Sequence, residues 1–172
     1  MIKVVRLALL LAFLLLVQVT LIPHARAFEV VPDLGLVTTV AIAYREGPEM
    51  GAVFGFFAGF VTDLFLSTPL GVSALAFALT GYLVGVVQGG LLRTAWWVPP
   101  LLGIVGGLVG GLLFLGIGGL VGQDQLFTLH ALQLVGRAAI YDGIAALVIF
   151  PLVAMVDRAE DTGRLRSDSS RW

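Results

Sequence analysis

Five side chains able to do chemistry stand inside or at the edge of long apolar stretches: Asp33, Asp63, Arg137, Tyr141 and Asp142. A charge in hydrocarbon costs several kcal/mol unless it is paired, solvated or able to reach the interface, so such residues are by default anchors or functional groups. When the apolar stretches are laid across a bilayer, Asp63 falls near the outer end of the third and Asp33 at the outer start of the second. Arg137 falls about two turns into the sixth from the same side. These depths predict that Arg137 is held by Asp63, by Asp33 or by both. Tyr141, one turn further on, would donate a hydrogen bond to one of the carboxylates. The competing expectation is that Arg137 snorkels to the surface on its long stem while Asp63 ends its helix in water. Asp142 is deeper, five residues beyond Arg137 and roughly 140° around the helix from it, and its role stays open.

Two carboxylates and a guanidinium would allow an intramembrane aspartyl protease or a proton relay. However, the chain contains no G-x-S-x-G, H-E-x-x-H or Walker motif and no histidine pair at i and i+4, so an enzyme is not the expected reading. The two histidines, His24 and His130, stand beside the ends of apolar runs, where solvated interface residues are commoner than ligands or bases. The absence of cysteine removes disulfides, thiolate metal sites and a cysteine nucleophile. No metal or cofactor is expected. A net charge of −1 with no basic cluster on a polar segment excludes nucleic-acid recognition.

The elements that must position these groups are membrane spans. Of 172 residues, 59% are hydrophobic and 12% charged, and the mean hydropathy is +1.03, far from the balance of a soluble domain. Spanning a core of about 30 Å takes about 20 apolar residues in a helix. Six segments qualify, near 4–22, 34–44, 50–66, 71–92, 97–121 and 129–156, so the expected fold is an all-α integral membrane protein of six transmembrane helices. The second is short, rising only about 16 Å. It must be tilted, extended back through Phe28 or shielded by protein. Pro32 and Asp33 suit its start, since proline lacks an N–H and the carboxylate meets the positive end of the helix dipole.

Lys and Arg set the orientation. With the N-terminus inside, the inner segments carry Lys3, Arg6, Arg45, Arg93, Arg158, Arg164, Arg166 and Arg171, and the outer loops carry only Arg26. Trp96 and Trp97 then lie at the inner interface. Both termini are cytoplasmic, residues 1–156 form the membrane domain, and 157–172 form a short polar tail expected to be disordered. A cleavable signal peptide is the alternative for the first segment, given Lys3, Arg6 and Ala25-Arg26-Ala27, but Pro23 and Arg26 crowd the cleavage site and an uncleaved helix is preferred.

Glycines mark the packing faces. Gly51, Gly55 and Gly59 recur every fourth residue and lead to Asp63; Gly81, Gly85 and Gly89 repeat the pattern in the fourth segment. Gly103, Gly107 and Gly111 do so in the fifth, with Gly106 and Gly110 alongside. Rows without side chains let helices meet backbone to backbone, and this close packing is preferred to a channel or a ligand groove.

Several of these features together resemble a known family. They are Pro32-Asp33-Leu34, the glycine row from Gly51 to Asp63, S-T-P-L-G-V-S-A-L at Ser67 to Leu75 with Gly81-Tyr82 beyond, Tyr141-Asp142, and Pro151-Leu152. The family is that of the bacterial rod shape-determining protein MreD, whose members often carry Asn where Asp142 stands here. The resemblance covers most of the chain and implies a non-enzymatic subunit of the cell-elongation machinery in the bacterial cytoplasmic membrane. Its implied partners are MreC, the polymerase RodA, a penicillin-binding transpeptidase, MreB filaments and membrane lipid. It also implies a fold similar to the substrate-binding S-components of energy-coupling-factor vitamin transporters. An S-component is therefore the alternative function, with an intramembrane hydrolase a distant third.

The charge asymmetry makes a direct prediction: a reporter active only outside the cytoplasm, fused after Trp172, is silent. Activity of that fusion would reverse the assigned topology.

Overall fold

The computed structural model describes residues 9–14, 16–18, 20, 30–65, 69–88, 95–122 and 128–168, with side chains as far as Met155. Among them are six helices and no strand. We label them α1 (Leu9–Gln18), α2 (Leu34–Glu46), α3 (Pro48–Phe65), α4 (Val72–Val87), α5 (Val98–Leu120) and α6 (Leu129–Asp168). Two of them, Val98–Leu120 and the Leu129–Met155 part of α6, are long and apolar enough to cross a membrane, which fits a membrane protein. The signal-peptide question and Gly89 fall outside the described residues. The polar tail differs from expectation: instead of an irregular end, the backbone of α6 stays helical through Asp168.

The short second helix is the centre of the bundle. Every residue of α2 from Leu34 to Tyr44 is buried, and Thr38, Thr39, Val40, Ala41, Ile42 and Ala43 have no exposed surface. A helix apolar on all sides is stable only when enclosed, and here α3, α4, α5 and α6 all pack on it. Of the three ways in which so short a helix could be accommodated, shielding by protein is the one adopted. The buried threonine hydroxyls are satisfied within their own helices: Thr38 and Thr39 donate to the carbonyls of Leu34 (2.6 Å) and Gly35 (2.9 Å). Thr62 and Thr80 do the same toward Ala58 and Ala76.

A single residue separates α2 from α3. Gly47 has φ +96° and its N–H returns to the Ala43 carbonyl (3.0 Å), closing α2 in a conformation that a side chain disfavours. Pro48, which needs no N–H partner at a first helical position, opens α3 immediately. The two helices are therefore antiparallel neighbours, as are α3 with α4 and α5 with α6, the most extensive pairings in the bundle.

Glycine permits these contacts. A methyl group built on Gly55 would stand 2.5 Å from the Phe77 carbonyl oxygen, and one on Gly51 2.7 Å from that of Gly81. Gly59 lies equally hard against Ser73, Gly81 against Gly51, and Gly85 against Pro48 and Gly47. On α5 the two glycine rows serve different partners. A methyl group on Gly103 would stand 2.7 Å from the Asp142 carbonyl oxygen and one on Gly111 would meet Val135, both on α6, while Gly106 and Gly110 admit Val40 and Leu36 of α2. Large apolar side chains that take no part in these contacts, among them Phe57, Phe60, Tyr82, Leu83 and Val86, point outward on α3 and α4.

Gly116, by contrast, faces open space. Gly55→Leu and Gly59→Leu are therefore expected to lower the melting temperature of the purified protein in mild detergent by about 2–12 °C, through overpacking of roughly 1–3 kcal/mol. Gly116→Leu should change it by less than about 1 °C, and equal effects at the three positions would refute the contact assignment.

Candidate functional site

Asp63 ends α3, where its carboxylate crosses to the start of α4. One oxygen, Oδ2, accepts the N–H groups of Gly71 (2.8 Å) and Ala74 (3.3 Å), and Oδ1 accepts that of Ser73 (3.1 Å). The need is local: the N-cap position of α4 is Gly71, at φ +102°, which has no side chain to accept the first N–H groups of the helix. Asp63, only 2% exposed, supplies that cap from the preceding helix and places its negative charge at the positive end of the α4 dipole.

Asp33 plays the same part for α2 within its own segment, its Oδ1 accepting the Leu36 N–H (3.1 Å). The Leu34 N–H goes to the Gln18 side-chain oxygen (3.0 Å), which ties α1 to the start of α2. The Asp33 N–H donates to Oδ1 of Asp142 at 2.7 Å. Asp142, also 2% exposed, thus reaches from the middle of α6 to the mouth of the central helix. The structure brings Asp33 and Asp142 together and leaves Asp63 to a separate task.

The contacts seen at the carboxylates of Asp63 and Asp33 are backbone N–H groups at the starts of α4 and α2. Both oxygens of Asp63 are engaged by α4, and Asp33 faces α2 and Asp142. Arg137 and Tyr141 lie on the exposed side of α6. The reason is the helix period: with Asp142 turned inward, Arg137 is carried about 140° away and Tyr141 about 100° away. Depth along a span does not specify the face. The signal for Asp142 is nonetheless present in the sequence, as it is the lone charge between Arg137 and Asp157, an apolar length in which a carboxylate must face protein.

Asp33 and Asp142 line a cavity of about 250 Å³ between α2, α4, α5 and α6. Its wall is otherwise mostly apolar, with Leu36, Phe77, Phe114 and Val135, and carries the hydroxyl-bearing Ser73. Gly107 of α5 forms the wall beside Asp142: a methyl group there would fall on Oδ2 of the carboxylate. Nothing in the sequence marks Ser73 or Gly107 as site residues; their functional relevance depends on which helices meet. A second cavity, about 200 Å³, lies at the opposite end beside Tyr44, Pro99 and Pro151.

The described residues form an all-helical bundle with a buried acidic pair and a capped helix start at one end, and its two long apolar helices fit a membrane protein. The match of residues 1–158 to the family model for rod shape-determining protein MreD shows more, and the chain belongs to the MreD family. Comparison with curated proteins and with solved structures returns no match.

Loss of the Asp63 cap strands three backbone N–H groups in a buried setting. Asp63→Ala is expected to reduce stability by about 2–4 kcal/mol in mild detergent. Combined with Arg137→Ala in a double-mutant cycle, additivity within about 0.5 kcal/mol would show that the two side chains act independently, and a larger departure would show an Arg137–Asp63 pair.

Proposed function

We propose that the chain is a non-enzymatic, multi-pass subunit of the cell-elongation machinery in the bacterial cytoplasmic membrane. In this reading it crosses the membrane six times with both termini in the cytoplasm, binds MreC, and helps couple MreB filaments to RodA and its penicillin-binding transpeptidase. The observation that carries it is the match to the MreD family over residues 1–158, which supports a role in rod-shape determination. The chemistry of the site is compatible with a scaffold. Asp63 serves a helix cap, and the Asp33–Asp142 contact holds neighbouring helices together.

Outward-facing Phe57, Phe60, Tyr82 and Leu83 offer apolar surface that lipid or a partner helix would cover. The related reading, an S-component-like fold carrying a ligand, draws support from the cavity at the Asp33 end. It separates cleanly from the first by what the protein retains.

Full-length tagged protein captured from native membranes in mild detergent is expected to bring down a single-pass MreC-like protein, identified by mass spectrometry. Recovery of an ATP-driven transport module in its place, with a bound vitamin, would overturn the scaffold reading in favour of the transporter one.

A further inference from the structure

The Asp33–Asp142 cavity is polar in an unbalanced way. Asp33 is compensated by its surroundings: it caps α2 and stands at the positive end of that helix. Asp142 has no such help. It sits in the middle of α6, receives one N–H, and among the described residues its Oδ2 has no hydrogen-bond partner. Ser73, 1% exposed, lines the same cavity, and its hydroxyl likewise makes no hydrogen bond to a described residue. No Lys, Arg or His lines the space among the described residues. Two carboxyl groups and a hydroxyl in an apolar cavity call for a donor-rich positive charge.

We propose that this cavity binds a small organic cation, a primary ammonium carried on a compact apolar group. An ammonium has three N–H donors and no acceptor, matching acceptors supplied by Asp142, Asp33 and Ser73. A Ca2+ or Mg2+ ion would want about six or more oxygens, which a wall dominated by Leu36, Phe77, Phe114 and Val135 does not offer. Those side chains suit an apolar body instead. The volume, about 250 Å³, compares with about 150 Å³ for a cavity that accepts benzene, so the ligand is small. Gly107 completes the site by leaving the room that the free oxygen of Asp142 occupies. This inference goes beyond the scaffold reading and does not depend on it.

The test uses the full chain in mild detergent or lipid nanodiscs, with benzylamine as the probe and benzyl alcohol and benzoate as matched neutral and anionic controls. Calorimetry is expected to show benzylamine binding about 10- to 100-fold tighter than benzyl alcohol, the value of a charge-assisted hydrogen bond, with benzoate not binding. Asp142→Asn should remove that preference. Should Asp142→Asn fail to fold, Ala138→Leu supplies the second arm. It intrudes on the space for the apolar body and is expected to weaken benzylamine while leaving methylamine unchanged. Equal affinity for benzylamine and benzyl alcohol would identify a merely apolar cavity. No binding of either would mean that the carboxyls are satisfied by water or a shared proton, and both results overturn the proposal. Partner capture from membranes is read separately, so its failure would not be confused with this one.

Discussion

The constraint on which the rest of this structure depends is the length of its central helix. Thirteen residues rise about 20 Å, less than the roughly 30 Å that a lipid-exposed span needs. So short an apolar helix is stable here because it is enclosed by protein. Its side chains meet only protein from Leu34 to Tyr44, its threonine hydroxyls return to its own carbonyls, and Asp33 and Gly47 close its two ends. Enclosing one helix on all sides requires its neighbours to come close to it and to one another. The glycine rows of α3, α4 and α5 are what make that possible.

The acidic cavity is a consequence of the same arrangement. Carrying one glycine row toward α6 and another toward α2, α5 sits in the angle between them, with Gly107 opposite Asp142 and Gly110 opposite Leu36. A carboxylate can be held at that depth because the N–H of Asp33, at the mouth of the central helix, reaches it. The residues that hold the helices in register are therefore also the residues that line the cavity. A mutation at Asp142 should be read for both roles, packing and binding, before either is assigned.

Much of this is legible in the chain. The apolar runs mark where α2, α3, α5 and the start of α6 lie to within a few residues, because in a helix of this composition the stops are charges, prolines and glycines such as Asp33, Gly47 and Pro48. The four-residue glycine spacing identifies the faces on which helices cross. Partnership across helices is not legible in the same way. Depth along a span brings Asp63 and Arg137 to one level, but only the rotation of α6 decides that Asp142 points inward and Arg137 outward. Nor can composition reveal that Asp63 caps a neighbouring helix, since that depends on Gly71 leaving the start of α4 without a side chain. The tail suggests an irregular end because its charges mix both signs; the helix that continues through it belongs to α6 and inherits its backbone ladder.

Enclosure of α2 can be measured directly, because the chain has no cysteine of its own. Single Thr39→Cys and Tyr82→Cys variants, purified in mild detergent, would be exposed to N-ethylmaleimide before and after denaturation. Thr39 is fully buried and Tyr82 is 50% exposed. The structure predicts that the thiol of the Tyr82→Cys variant reacts in the folded protein, while that of the Thr39→Cys variant reacts only once the bundle is unfolded. Labelling of the folded Thr39→Cys protein at the rate of the Tyr82→Cys protein would contradict a buried central helix, and with it the packing on which the site depends.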